Sequence, residues 1–172
     1  MNLQSDDFEL LGLERRHALD ATELDQRWKD LQREVHPDRF ASQGAAAQRV
    51  AMQWSVRINE AYRRLRDPLQ RAAYLCELAG HPVRAEDNTA MPAAFLMQQM
   101  EWREALEEAI SPEALDALES EVLGERSRLL ASCAVALDTQ HDPASAVQAV
   151  RALMFVDRFL SELARKSERF DR

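Results

Sequence analysis

The sequence predicts an all-α protein. Of its 172 residues, 46% are hydrophobic and 30% are charged, a balance that supports a packed core and argues against wholesale disorder. Only 4 glycines and 6 prolines are present, and the segments between the prolines are rich in Ala, Leu, Glu, Arg and Gln, which favour helix. Alternating β-branched residues flanked by Asn-Gly turns, the pattern typical of strands, are absent.

Four helices are expected in the first part of the chain. A short helix over about 6–11 stops at Gly12, and Asp20 can cap a second helix that runs to 35, with Glu23 as its capping-box partner. After the segment HPDRFASQG, a long helix is expected over about 45–66, and a fourth over 69–79 ends before Gly80. The second and third helices carry apolar stripes at Leu24, Trp28, Leu31 and Val35, and at Val50, Trp54, Ile58, Tyr62 and Leu65.

Residues 80–90, with the sequence GHPVRAEDNTA, are the best candidate for a linker because they have almost nothing to bury. Three helical patterns follow over 92–110, 112–139 and 144–170. Ser111-Pro112-Glu113 and Asp142-Pro143 are typical of an N-cap residue followed by a proline at the first helical position. Gly124 is a candidate bend in the middle pattern. Three amphipathic helices with short connections predict an antiparallel bundle. We therefore expect domains at 1–79 and 91–172.

The net charge of −8 belongs almost entirely to the second domain. Residues 1–79 carry 12 basic and 13 acidic side chains, whereas residues 80–172 carry 10 and 17. An acidic chain is poorly suited to coat nucleic acid or an anionic membrane, so neither is expected as a partner. The uneven division indicates that the two halves meet different partners.

The location expected from the sequence is the cytoplasm. The N-terminus MNLQSDDFELLG lacks the basic and apolar regions of a signal peptide, and no run of 18 apolar residues predicts a membrane span. Cys76 and Cys133 are 57 positions apart and form no CxxC motif. We interpret them as small buried apolar residues.

The tripeptide His36-Pro37-Asp38 lies between two predicted amphipathic helices. By itself it has a plain structural explanation, since proline ends a helix and Asp38 can hydrogen-bond the loop backbone. A metal site is not expected, because the other histidines, His17 and two beyond residue 80, are scattered without metal spacing. No nucleophile with a partner base is evident either, so we expect this chain to have no enzymatic activity and to bind no cofactor.

The surroundings of this tripeptide point to a family. Arg27, Lys29 and Arg33 precede it, away from the apolar stripe, and INEAYRRLRDP and LQRAAYL follow it. The whole pattern over about 5–79 resembles the J-domain of J-type co-chaperones, in which two antiparallel helices are joined by an HPD loop. The resemblance implies docking on a DnaK-type chaperone through His36, Pro37 and Asp38 and the three basic residues, with stimulation of that chaperone's ATPase.

The first helix after the linker has two contrasting faces. Its expected core side carries Phe95, Trp102, Leu106, Ala109 and Ile110. The opposite side carries Met97, Met100, Glu101, Glu104 and Glu108, with Leu96 at its edge. Methionine is common on surfaces that bind proteins, so this face is either a partner site or is covered by a third helix. In the last helix, Phe155 and Phe159 point away from the stripe of Val150, Leu153, Val156, Leu160 and Leu163.

The full chain resembles the HscB family, the J-type co-chaperones of iron–sulfur cluster biogenesis, in DLQREVHPDRFAS, AAFLMQQMEWREALEE and VRALMFVDRF. The resemblance implies that the C-terminal domain binds the cluster scaffold protein (IscU class) and that the chaperone is of the HscA class. The implied scaffold-binding residues are Leu96, Met97, Met100, Glu101, Glu104, Glu108 and Phe155. Met100 stands where leucine is common in the family, and Trp102 replaces a smaller apolar residue. Some eukaryotic relatives carry an N-terminal tetracysteine metal module; this chain starts at the J-domain, so we expect no metal.

Two other functions stay open at this point. A general J-type co-chaperone would deliver unfolded clients, although such proteins usually add Gly/Phe-rich linkers and zinc-binding cysteine repeats. A structural module could bridge two proteins without stimulating either. We expect a monomer or weak self-association.

Overall fold

The fold is all-α, as predicted, in a computed structural model that describes residues 2–84 and 90–171. The described residues contain no strand. The helices are α1 (Asp7–Leu11), α2 (Ala21–Val35), α3 (Ala45–Arg66), α4 (Pro68–Leu78), α5 (Ala93–Glu108), α6 (Pro112–Ala134) and α7 (Pro143–Phe170). A 3-10 helix spans Pro37–Gln43, and a π-helical turn at Val135–Thr139 follows α6.

The chain divides into two compact units, residues 1–75 and 76–172. Helix α4 carries the chain from the first unit into the second. The domain limits expected from the sequence stay predictions. Residues 85–89 of the expected linker 80–90 lie outside the described residues.

The helix ends of the first unit follow their local sequence. The Asp20 carboxylate accepts hydrogen bonds from the backbone N–H groups of Thr22 (2.8 Å) and Glu23 (3.2 Å), which caps α2. The Glu23 side chain accepts from Arg27 (3.2 Å) instead of closing the expected capping box. Gly12 ends α1 with a φ of 66°, and a Cβ there would lie 2.8 Å from Arg27 Nη1. Glycine is therefore required twice at this position, for its backbone conformation and for space.

The core of the first unit lies where α1, α2 and α3 meet. Leu24, Ile58 and Leu65 are fully buried, and the ring of Trp28 stacks on Tyr62 with centroids 4.5 Å apart. The expected stripe of α3 is wrong at Val50, which is half exposed. The buried positions of this helix are Ala51, Ile58, Ala61 and Leu65, so its core face is set by two small alanines that periodicity in large residues does not reveal.

A buried carboxylate ties α1 to α3. Asp7 is fully buried, and its two oxygens pair with Arg57 (2.8 Å) and Arg64 (3.2 Å). The Asp7 backbone N–H donates to the hydroxyl of Tyr74 (3.0 Å). The charge of Asp7 is thus compensated by two cations from the next-but-one helix.

The second unit contains the bundle of α5, α6 and α7. Helices α6 and α7 run antiparallel, since Arg126 pairs with Asp157 (2.7 Å) while Cys133 Sγ lies 3.9 Å from the Ala146 carbonyl. Trp102 of α5 is buried and donates to Glu121 of α6 (3.2 Å). Helix α6 runs through Gly124 to Ala134, so the change of helix type comes at the π-helical turn and not at the glycine.

Two expectations for this bundle need correction or refinement. Ile110, expected in the core, is 86% exposed because α5 ends at Glu108 and the helical period no longer applies beyond it. Phe159 is fully buried, with its ring 5.7 Å from that of Trp102. The last helix therefore buries one aromatic on the side that the sequence left open.

Candidate functional site

Two surfaces collect the residues singled out in the sequence, one in each unit. The loop surface consists of Arg27, Lys29, Arg33, His36, Pro37 and Asp38. The α5 surface consists of Leu96, Met97, Met100, Glu101, Glu104 and Glu108, with Phe155 from α7.

The loop surface is centred on the turn that ends α2. His36 is the last residue before the 3-10 helix, and Pro37 is its first residue. The imidazole Nδ1 accepts a hydrogen bond from the backbone N–H of Asp38 (3.3 Å). The Asp38 carboxylate lies 3.6 Å from the same nitrogen and is 91% exposed. The ring is oriented by the backbone, and the carboxylate projects into solvent.

Arg39 holds the turn against the end of α2. Its guanidinium donates to the Arg33 carbonyl (3.1 Å), one of the carbonyls that a helix end leaves without an intrahelical partner. Its backbone N–H donates to the His36 carbonyl (3.0 Å). Sequence reasoning did not include Arg39 in the loop surface, and the structure gives it a positioning role there.

The three basic residues of α2 do not share one face. Lys29 and Arg33 are one turn apart and lead towards His36. Arg27 lies on a different side of the helix, where it pairs with Glu23 (3.2 Å) and covers Gly12. Arg33 also has an acidic neighbour, Asp30, at 3.3 Å. The structure therefore brings Lys29 and Arg33 together near the turn and directs Arg27 towards α1.

The apolar members of the α5 surface are open to solvent. Met97 is 63% exposed and Met100 is 71% exposed, and Leu96 is half exposed. Within the described residues no third helix covers them. Buried methionines are the rule in a small domain, so two exposed ones on the same side of a helix mark an unusual surface.

Three carboxylates accompany the methionines. Glu101, Glu104 and Glu108 are exposed, and none of them has an ion-pair partner among the described residues. Their charges reinforce one another because no cation neutralises them. The α5 surface therefore favours a partner that combines apolar and basic side chains.

Phe155 lies at the α7 side of the α5 surface and, unlike the methionines, is partly buried. Its ring meets Phe95 edge-on with centroids 5.8 Å apart, and the Arg103 guanidinium lies 5.7 Å from the ring centroid. Arg103 is held in turn by Glu162 (3.5 Å). Sequence reasoning missed Arg103, because only the packing of α5 beside α7 places this cation on the aromatic.

The described residues give little support for a metal site or a reactive cysteine. They contain no group of three or more His, Cys, Asp or Glu side chains that could hold a metal ion. Both cysteines are free and buried, and burial raises the pKa of Cys76 to about 11 and that of Cys133 to about 12. Among the described residues, no helix combines the length and the hydropathy that a membrane span requires.

Comparisons with known proteins agree along the chain. Residues 91–164 match the family model described as the HSCB C-terminal oligomerisation domain. The co-chaperone protein HscB homolog of Bordetella petrii is 51% identical over 160 residues, covering 92% of this chain and 94% of the relative. That of Burkholderia mallei is 49% identical over 174 residues, covering 99% of both.

Solved structures show the same fold. The chaperone HscB from Vibrio cholerae superposes with a TM-score of 0.82 at 34% identity, covering 96% of this chain and 99% of that one. Human co-chaperone protein HscB gives a TM-score of 0.90 at 28% identity, covering 96% and 84%. With relatives this similar over nearly the whole length, the chain belongs to the HscB family of co-chaperones.

Proposed function

We propose that this co-chaperone captures an IscU-class scaffold protein of iron–sulfur cluster assembly and delivers it to an HscA-class chaperone. The α5 surface would bind the scaffold, and the loop surface would dock on the chaperone and stimulate its ATP hydrolysis. The chaperone, not this chain, carries out the hydrolysis. The expected location is the cytoplasm, where free cysteines stay reduced.

The observation that carries the scaffold-binding proposal is the pair of exposed methionines beside three unpaired carboxylates. Exposed apolar side chains supply affinity when a partner covers them, and the carboxylates select a partner with basic groups. The Phe155 ring and the Arg103 guanidinium form a firm border because each is held by its own neighbours. A protein that presents an apolar, basic surface would fit this site.

The chaperone-docking proposal depends on the fixed conformation of the turn between α2 and α3. His36 and Arg39 hold the turn with bonds to its backbone, while the Asp38 carboxylate is left free to meet another protein. Lys29 and Arg33 add positive charge on the same side and would orient an acidic partner during encounter. Because hydrogen bonds hold the backbone of the turn before binding, little backbone conformational entropy is lost when a partner docks.

Joining the two surfaces in one chain gives the mechanism. Once the scaffold is bound, its meeting with the chaperone becomes effectively intramolecular, which raises the local concentration without any new contact. ATP hydrolysis would then trap the scaffold on the chaperone and assist cluster release or transfer.

A steady-state ATPase assay on the purified HscA-class chaperone tests this function. We expect stimulation by this protein alone and a further increase when the IscU-class scaffold is added. His36→Gln should abolish both. If the scaffold adds nothing, the cluster-assembly function fails and delivery of unfolded clients becomes the better account. If His36→Gln stimulates as the wild type does, the chaperone-docking assignment is wrong.

A further inference from the structure

The second unit contains a groove that shares Met97 and Glu101 with the α5 surface and extends beyond it. It has a volume of about 720 Å³, within the roughly 300–1,000 Å³ of sites that bind small ligands or short segments. One wall is the first half of α5, the other is the second half of α6, and the start of α7 forms the floor. Its lining includes Met97, Glu101, Leu129, Ser132, Gln148 and Ala149.

The chemistry of the groove is apolar at depth and polar at the rim. Leu129 and Ala149 are buried, and Met97 closes the groove from the α5 side. Ser132 and Gln148 are exposed and make no side-chain hydrogen bond within the described residues, so both are available to a ligand's backbone. This combination suits an extended peptide segment, whose backbone polar groups need partners while its side chain is buried.

The charge of the groove adds a second requirement. Glu125 and Arg128 both line it, but they pair with each other at 2.5–2.8 Å and cancel. Glu101 also lines the groove and has no such partner among the described residues. The net field in the groove is therefore negative at the α5 wall, next to the apolar floor.

The groove is continuous with the α5 surface. Met97 and Glu101 belong to both, and on the helical wheel they lie at the edge of that surface opposite to Leu96. Phe155 and Arg103 border the Leu96 edge, towards α7. The α5 surface is thus flanked by the packed Phe155 ring and Arg103 on one side and by the open groove on the other.

We propose that this groove takes a short extended segment of the scaffold protein, with an apolar side chain seated over Leu129 and Ala149 and a basic side chain on Glu101. The inference rests on the proposed function, because it extends the same docking site from α5 onto α6 and α7. It makes the groove a specificity element: a scaffold lacking the apolar–basic pair would keep the α5 contact and lose this one.

Filling the groove from α6 tests the proposal. Ser132→Trp introduces a large side chain at an exposed rim position, and Ser127→Trp places the same change on the far side of the same helix as a matched control. Gln148→Trp repeats the test from α7. Calorimetry with the purified IscU-class scaffold should show the dissociation constant raised about tenfold or more by the two groove variants and unchanged by Ser127→Trp. Far-UV circular dichroism of each variant checks that the helices are retained.

The other outcomes distinguish a failure of the groove proposal from a failure of the proposed scaffold-binding function. If both groove variants bind normally while Met97→Ala with Met100→Ala binds weakly, the groove is not part of the site and the inference is overturned alone. If the methionine variant also binds normally, the proposed function itself fails. If Ser132→Trp changes only the molar mass of the free protein in light scattering, the occupant is a second copy of this chain and the inference is overturned.

Discussion

Met97 and Met100 are the residues on which scaffold binding can be tested most cleanly. Phe155 packs against Phe95 and Phe159, so its removal would also disturb the bundle. The two methionines are exposed, and replacing them leaves no cavity. We expect Met97→Ala with Met100→Ala to weaken scaffold binding by about 1–3 kcal/mol in calorimetry.

Met52 supplies the matched control for this prediction. It is 54% exposed and lies on α3 of the other unit. Met52→Ala should leave the affinity for the scaffold unchanged. Equal losses for the two changes would show that general surface hydrophobicity, and not the α5 surface, drives binding.

The basic residues of α2 should contribute unequally to chaperone docking. Lys29 and Arg33 are directed to the side of the turn, whereas Arg27 is engaged with Glu23 and Gly12. We expect Lys29→Ala with Arg33→Ala to lower the association rate with the chaperone several-fold at low salt, and Arg27→Ala to have the smaller effect. Stopped-flow measurements at two salt concentrations check this. A larger effect of Arg27→Ala would require α1 to belong to the interface.

At the scale of single elements, the Asp7 ion pairs hold α1 on α3. Replacing Asp7 by asparagine removes the buried charge and leaves Arg57 and Arg64 facing each other. We expect the free energy of unfolding of the first unit to fall by about 2–3 kcal/mol, because both arginines keep some contact with water. Native-state hydrogen exchange of the α1 and α3 amides measures the loss, and Glu9→Gln, an exposed change in the same helix, should be silent.

The start of α7 should respond to acid. Hydrogen bonds from the Ser145 hydroxyl and backbone N–H lower the pKa of Asp142 below its ordinary value of 3.8. A carboxyl whose pKa is lower in the folded protein stabilises it fully above the unfolded pKa, and this contribution is lost as the pH falls through the folded value. We expect melting temperatures between pH 5 and pH 2 to fall less steeply for Asp142→Asn than for the wild type.

Asp142→Ala separates the cap from the charge. Asparagine can still accept the backbone hydrogen bond at the start of α7, whereas alanine cannot. The alanine variant should therefore be less stable than the asparagine variant at every pH. An identical acid slope in the wild type and Asp142→Asn would contradict the assignment to this carboxyl.

At the scale of the whole molecule, the two surfaces belong to separate compact units and should act independently in binding. We expect His36→Gln to bind the scaffold within about twofold of the wild type. Conversely, Met97→Ala with Met100→Ala should retain stimulation of the chaperone alone and lose the increase that the scaffold adds. A strong effect of either change on the other surface would reveal coupling between the units.

Local sequence patterns predict most of the helix faces and helix caps of this molecule. The 3.6-residue periodicity predicts Leu24 and Val35 on the buried side of α2, which the structure confirms, because periodicity depends only on neighbouring positions. It also predicts Met97 and Met100 opposite the core side of α5, but it left open whether a third helix covers them, and their exposure was decided by the structure. The caps at Asp20 and Ser111 likewise depend on a side chain and an N–H within three residues. The patterns failed at Ile110, where the helix had already ended.

The amino-acid sequence by itself determined the helices, the ordered turn at His36-Pro37-Asp38 and the acidic, methionine-bearing face of α5, since each is encoded within one or two turns of chain. Only the tertiary structure decided that Arg103 covers Phe155, that Arg27 turns away from Lys29 and Arg33, and that a groove opens between α5 and α6. These arrangements join residues that are far apart in the chain, such as Arg103 and Phe155, which are separated by 52 positions. Contacts between such distant residues depend on how the helices pack against one another. Helix packing is determined by the whole core and not by any one segment.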